Sequence, residues 1–326
     1  MSHPCILCGG TETTIHKLGS ATVRRALEEH FRSPLPGNVE LKEYDMLECA
    51  RCRFISALPM SPGDSEFYAW VTNQPDYYPA FRWEWGPVVE RISRVSALAP
   101  ISILDVGCGS GDFLSLIKDI PGVDAWGLDA TTTSIETAKA RGLQAICADM
   151  QKFLALEPAK KFDFVTSFHC LEHVDNPVSF MRDIKHLLKL DGGVAWISAP
   201  LSPMSHEHSW FDPLNHPPHH MSRWSMTALN KLAEVTGLNV SLTSSPARSN
   251  IRRAARALML AKTGRLDHKD PIHALIFSLR HFPDFLREWS VQSRRPRIDG
   301  RREGDTFLAA FTRPSSLRNR LRQPAD

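Results

Sequence analysis

The stretch ISILDVGCGSGDFLSLI, residues 101–117, restricts the fold more than any other part of this chain. An apolar run from Ile101 to Val106 reads as a buried strand, Gly107, Gly109 and Gly111 mark a tight turn, and apolar residues then return at helical spacing. Units of the same kind follow. DAWGLDA predicts a strand ending in Asp129, TSIETAKARG a helix closed by Gly142, LQAICADM a strand ending at Asp149, and FDFVTSFHC a strand running to Phe168. In DNPVSFMRDIKHLLKLDGG, Asn176 can cap a helix, Pro177 suits its first turn and Gly192 can end it; VAWISAP makes the fifth strand. Alternating strands and helices imply an α/β fold with a mostly parallel, Rossmann-like sheet covered on both faces.

Such a sheet binds its ligand at the carboxyl ends of its strands, where the strand order reverses. Gly107, Gly109, Gly111, Asp129, Asp149, Phe168 and His169 all fall at strand ends. Carboxylates at the second and third of these suit an adenosine, one for the ribose hydroxyls and one as acceptor for the adenine amine. A nicotinamide dehydrogenase needs Gly-x-Gly-x-x-Gly, whereas the glycines here are more closely spaced.

On LDVGCGSG, GLD, CADM and FDFVTSFHCLEHVDNP, residues 100–245 resemble the class I S-adenosylmethionine-dependent methyltransferases. The resemblance implies an antiparallel last strand and assigns roles to matching positions. Gly107, Gly109 and Gly111 would let the backbone approach the methionine part of the cofactor, and Asp105 would brace that loop. Asp129 would hold the ribose, and Asp149 with the Met150 amide would face the adenine, with Phe168 at the neighbouring strand end.

Cys5 and Cys8 form one Cys-x-x-Cys pair and Cys49 and Cys52 a second, which resembles a structural zinc ribbon with a long insertion. A redox pair is the competing reading, but neither pair has a thioredoxin-like strand and helix around it. Four thiolates close a tetrahedral site, so the ion would supply folding free energy to a small segment rather than bind substrate. Cys108, Cys147 and Cys170 read as small buried hydrophobes. We therefore expect a zinc-ribbon domain at 1–60, a connecting helical segment at 61–99, and a methyltransferase domain at 100–326 with a helical insertion at about 249–303. The whole chain resembles bacterial proteins that join such a ribbon to such a domain, many of which methylate sugars or other small metabolites.

That architecture places LSPMSHEHSWFDPLNHPPHHMSRW after the fifth strand, at the reacting side, stiffened by Pro213, Pro217 and Pro218 and followed by a helix from Ser225 to Gly237. Methyl transfer needs alignment and relief of the acceptor's proton, and histidine suits the proton. His220 matches the resembled family's pattern, and His173 follows the fourth strand beside Glu172; either is a candidate base, with the other positioning the acceptor. His169 and His216 complete the candidate set. Glu172 and His173 could instead bond loop backbone, and a second metal at His169, Glu172 and His173 is a further reading, although that cluster is nitrogen-rich for magnesium.

The formal charge is +3, with arginines crowding the last quarter in RRAAR, SRRPR, GRRE and LRNRLR. The insertion is too long for an unstructured connection, and its DPIHALIFSLRHFPDFLREW stretch, interrupted by Pro283, is expected to form a lid over the acceptor. No window is apolar enough to span a membrane and the start lacks a secretion signal, so a cytoplasmic protein is expected; peripheral membrane contact stays open. The expected acceptor is a small molecule, such as a sugar or nucleotide-linked sugar. The alternative is an RNA or protein methyltransferase that binds through the ribbon and basic tail, although HCLEHV is not the turn of base amino-group methylation and the arginines lack interleaved aromatics. A non-catalytic binding protein that keeps the cofactor fold is a third reading.

Overall fold

The computed structural model describes residues 3–75, 77, 79, 81–246, 249–264, 271–294, 297–298 and 301–314. The LRNRLR run and parts of SRRPR and GRRE lie outside them.

The N-terminal part contains β1 (Glu12–Leu18), α1 (Ser20–Phe31), β2 (Tyr44–Cys49) and β3 (Ile55–Leu58). Two helices follow. α2 (Ser65–Thr72) is capped by Asp64, which accepts from the Phe67 amide, and α3 (Trp85–Ser96) buries Trp85, Val88 and Ile92 on one face. The main domain then alternates β4 (Ile101–Val106), α4 (Asp112–Ile117), β5 (Val123–Asp129), α5 (Thr132–Ala140), β6 (Gln144–Cys147), α6 (Met150–Leu156), β7 (Phe164–Phe168), α7 (Pro177–Leu187) and β8 (Val194–Pro200). A two-residue strand β9 (Ser222–Arg223) leads into α8 (Met226–Thr236), which runs from a Ser225 cap to Gly237 in the left-handed region. The chain ends with β10 (Asn239–Pro246), α9 (Asn250–Thr263), α10 (Pro271–Arg280), α11 (Phe282–Ser293), β11 (Arg297–Ile298) and β12 (Arg301–Thr312).

The main sheet has the order β10-β12-β8-β7-β4-β5-β6, parallel from β8 through β6, with β12 antiparallel to both β8 and β10. This is the Rossmann-like methyltransferase fold. Chain order reverses at β4, between β5 and β7, which opens a crevice at the strand tips there.

Two boundaries and one burial differ from the sequence expectation. β6 stops at Cys147 because Asp149 turns to cap α6. α7 stops at Leu187, before Gly192, because Leu188 is extended and bridges Phe162. Cys147 is exposed, whereas Cys108 is buried and Cys170 half-buried.

The small N-terminal sheet has the order β1-β2-β3-β9, so its fourth strand comes from the histidine-rich loop more than 160 residues downstream. Ile55 pairs with Arg223 and Ser56 with Ser222, and the Ala57 amide donates to the Met221 carbonyl over 2.8 Å. Cys5, Leu7, Cys49, Cys52 and Phe54 pack into the same apolar core as Leu104, Val165 and Ile197 of the main sheet. Phe54 meets the fully buried Trp224 with ring centroids 4.7 Å apart. Truncating a buried aromatic of this kind to alanine costs about 3–5 kcal/mol.

Candidate active site

A cavity of about 820 Å³ occupies the crevice, within the range of small-molecule sites. Gly107, Gly109, Asp129, Asp149, Met150 and Phe168 line one end; His169, Glu172, His173, His219 and His220 line the other. Among the described residues, the insertion at 249–303 contributes nothing to the lining. The expected lid is therefore corrected: Pro62, Tyr68, Thr72, Tyr77, Arg82 and Trp85, from the segment before β4, wall the cavity instead.

At the cofactor end, Asp129 is held through both oxygens. Oδ2 accepts from the Gly109 amide at 2.9 Å and Oδ1 from the Thr131 amide at 2.8 Å. Gly109 has φ +53°, and a Cβ built on it would meet nothing within 4 Å, so its bare face opens onto free space. A Cβ on Gly107 would instead lie 2.0 Å from Cys170 Sγ, and one on Gly111 2.2 Å from Leu143 Cδ1, so those two glycines also serve packing. Asp105 is buried and accepts from Thr166 Oγ1 at 2.7 Å; it ties β4 to β7 from beneath the loop. Burial pushes its carboxyl up to about 7, although the Thr166 bond opposes this. Asp149 lines the cavity, but Oδ1 accepts from the Lys152 amide at 2.7 Å as the α6 cap. Phe168 packs on Phe113 with centroids 4.7 Å apart.

At the other end, buried carboxylates and imidazoles alternate. His169 has an unusual φ of +54° for a non-glycine residue; its Nε2 lies 3.1 Å from Glu84 Oε1 and its Nδ1 3.3 Å from Glu172 Oε1. Burial alone would lower its pKa, but the two carboxylates outweigh this and raise it. Burial opposes ionisation of Glu172 in turn, yet the His169 bond and the nearby His173 hold its carboxyl below the ordinary value. His169 thus acts as a clamp between two acids and has no nitrogen free to accept a proton.

His173, His219 and His220 form a tight cluster. His173 Nδ1 lies 2.7 Å from the His219 carbonyl, and His219 is bonded on both sides, by the Leu214 carbonyl at 2.8 Å and the Tyr77 hydroxyl at 2.8 Å. His220 Nδ1 lies 3.1 Å from Asn215 Oδ1, while its Nε2 lies 3.9 Å from Glu172 Oε1. An Nδ1–H donated to an oxygen leaves Nε2 as the lone-pair nitrogen on both His173 and His220. Burial and neighbouring histidines hold His220 well below its ordinary pKa and push His219 down to about 3; burial also lowers His173. The His219 and His220 rings are stacked, 4.6 Å between centroids and 20° between planes.

The remaining candidate, His216, is corrected. It is buried outside the cavity, stacked 4.0 Å from Phe211 with Nδ1 on the Asp212 carbonyl, and belongs to the loop's own packing. The loop is braced by Arg223, which donates to the Asn215 carbonyl and to Glu207 at 3.0 Å each, while Glu207 accepts from Ser202. Tyr68, Tyr77, Arg82, Glu84, Asn215 and Arg223 were missed from sequence. Only the aromatic density of YAW and DYYPAFRWEW hinted at a walled pocket.

Cys5 and Cys52 Sγ lie 3.7 Å apart and Cys8 and Cys49 Sγ 3.4 Å apart, all four within 4.8 Å of one another. Sulfurs around a tetrahedral ion at about 2.3 Å would be roughly 3.8 Å apart, so the set fits zinc. Gly9 and Arg53 both take positive φ after their pairs, and a Cβ on Gly10 would sit 3.1 Å from the Cys8 and Cys49 sulfurs.

A carboxylate-anchored glycine turn lies at the switch of the parallel sheet, where a Rossmann-like domain holds a nucleoside ligand. Residues 82–242 match the family model described as a methyltransferase domain. The chain is 34% identical over 133 residues to a ubiquinone biosynthesis O-methyltransferase from Paracidovorax citrulli, covering 35% of this chain and 56% of that protein. It is 35% identical over 109 residues to the protein of the same name from Haemophilus ducreyi, covering 31% and 46%. The chain thus spans about half the length of these relatives. Similar solved structures include a methyltransferase from Archaeoglobus fulgidus (17% identity, TM-score 0.45, 70% of this chain and 93% of that one). Another is phosphoethanolamine N-methyltransferase 2 from Haemonchus contortus (15%, TM-score 0.47, 76% and 56%).

Proposed function

We propose that the protein methylates a hydroxyl of a small-molecule acceptor held in the cavity, with His220 as the proton acceptor. Bound S-adenosylmethionine would supply a methyl on a positively charged sulfur, so the charge lost there on transfer reappears on the protonated imidazole. Gly109, Asp129, Asp149 and the Met150 amide hold that cofactor, and Asp105 supports the loop from below. His220 Nε2 receives the hydroxyl proton, Asn215 fixes the ring's tautomer, and Glu172 stabilises the imidazolium across 3.9 Å. His173, whose ring meets that of His220 edge-on with centroids 4.8 Å apart, orients the acceptor beside it, and His169 keeps Glu172 in place. Aromatic walls from Tyr68, Tyr77 and Trp85 suit a ring-bearing acceptor, whether a sugar, a nucleotide-linked sugar or a phenol. The four cysteines hold a structural zinc ion in an N-terminal unit that is separate in sequence from the methyltransferase domain.

The observation that carries this reading is the His220 ring, whose accepting nitrogen is free in a cavity whose other end is an anchored glycine turn. Calorimetric titration with S-adenosylmethionine, then labelled-methyl transfer to panels of sugars, nucleotide sugars, phenols and RNA, tests it. No cofactor binding, or transfer to RNA alone, would reject it.

A further inference from the structure

Helix α11 is amphipathic in the reverse sense. Its polar positions at i, i+4 and i+8 pair with other elements, Gln292 and Glu288 turned inward and Asp284 half-exposed at the rim. Asp284 pairs with Lys262 of α9 at 2.7 Å, Glu288 holds His208 at 2.9 Å, and the fully buried Gln292 donates to the Ser205 carbonyl at 2.6 Å. Its apolar positions point to solvent: Phe282 is 49% exposed, Leu286 45% and Trp289 43%. α10 continues the stripe across the junction at His281, with Ile276 45% and Leu279 66% exposed while Ser278 is buried. Exposed rings and leucines gathered on two consecutive helices mark an interaction surface.

The charge around it indicates the occupant. Residues 249–303 hold thirteen Lys or Arg against six Asp or Glu, whereas the whole chain carries only +3. Arg280 and Arg287 stand on the same two helices and have no ion-pair partner among the described residues. An apolar ridge with cations along it suits the boundary of an anionic bilayer, where rings and Leu enter the acyl region and guanidinium groups meet phosphates. Among the described residues no helix is long and apolar enough to cross a membrane, so the contact would lie in the interface plane.

We propose that α10 and α11 dock this protein on an anionic lipid surface, through Leu279, Phe282, Leu286 and Trp289 with Arg280 and Arg287 as headgroup contacts. The surface is distinct from the cavity, so a failure here would leave the methyl-transfer reading untouched.

Co-sedimentation of the full chain with vesicles of phosphatidylcholine alone, or of phosphatidylcholine containing phosphatidylglycerol, tests the proposal. Wild-type protein should partition onto the phosphatidylglycerol vesicles, release as salt rises, and ignore the neutral ones. Arg287→Glu should weaken partition by about fivefold or more, since each basic residue near an anionic surface contributes about 1 kcal/mol. The double variant Phe282→Asp, Leu286→Asp should abolish it while the melting temperature and S-adenosylmethionine affinity stay unchanged. Brominated lipid should quench wild-type tryptophan emission, and Trp289→Phe should remove that quenching, a readout independent of how the aspartate variant folds. Absence of wild-type partition, equal binding to neutral vesicles, or a dimer that the double variant dissociates without any lipid binding would overturn the proposal, the last in favour of a second copy of the chain.

Discussion

The Gly109 amide donates to Asp129 Oδ2 across 2.9 Å, which fixes the glycine turn after β4 to the tip of β5 before any ligand arrives. Because Thr131 holds the other oxygen, the carboxylate is preorganised, and its remaining lone pairs face the cavity. Asp129→Asn removes the charge from these bonds, which are worth roughly 1.5–3 kcal/mol each to an ionised acceptor. We expect S-adenosylmethionine affinity to fall about 10- to 100-fold by calorimetry. Unchanged affinity would remove Asp129 from the cofactor site.

The glycines separate ligand space from packing space. Gly109→Ala meets open space and should cost only about 1–2 kcal/mol of stability for its left-handed backbone, while cofactor affinity falls far more. Gly107→Ala would drive a methyl to 2.0 Å from Cys170 Sγ in addition to that strain, so its thermal unfolding should shift further. Equal melting temperatures for the two variants would contradict this division.

The parallel sheet could be read from sequence because its strands are short, mostly apolar runs, β4 running into the glycine turn and β5 ending at Asp129, and these are local signals. Ser225, Gly237 and Asn176 marked helix ends for the same reason. What could not be read depended on distant partners. Strand β9 is two residues long and exists only because β3 lies beside it. Nothing in HPPHH distinguishes His216, which faces Phe211, from His220, which faces the cavity; the loop's path, braced by the Arg223–Glu207 bond, decides. The wall formed by Tyr68 and Tyr77 likewise follows from where α2 docks, for which the sequence carries no periodic signal.

If His220 accepts the proton, His220→Ala should lower kcat by about 10²- to 10⁴-fold without changing cofactor affinity. His173→Ala should act chiefly on the acceptor KM. Because the His220 pKa lies well below its ordinary value, the ring is neutral at pH 7 and the rate should stay flat as pH falls through 6.5. A rate that halves near pH 6.5 would point to a different base.

The four-cysteine cluster reaches the candidate site through the β3–β9 strand pair and through the core it shares with the main sheet. Chelation, or Cys8→Ser with Cys49→Ser, should free β3 from its anchor and loosen β9 and the histidine loop that β9 ends. Structural zinc supplies about 10–16 kcal/mol to small units, more than such a segment can replace. One zinc per chain by elemental analysis, and a loss of Trp224 near-ultraviolet dichroism together with methyl transfer on its removal, are the expected results. Full activity without metal would show that the loop is held by the main domain alone.

Acid should destabilise the fold through its buried imidazoles. Burial pushes His216 and His219 down to about 3 and lowers His220 strongly, so above pH 6.5 these rings are neutral whether folded or not. Below 6.5 the unfolded chain takes up protons that the native state refuses, and stability falls as pH falls toward 3. Asp105 acts in the opposite sense: its folded carboxyl, raised to about 7, binds a proton in this window that the unfolded chain does not. His216 and His219, held near 3, against one carboxyl leave one net proton, a slope of at least about 1.4 kcal/mol per pH unit between pH 6 and 4, which the lowered His220, His173 and His30 steepen. Urea unfolding across that range measures the slope directly. A stability that rises on acidification would mean that the histidine cluster is charged in the native state, and with it the assignment of His220 as a neutral base would fail.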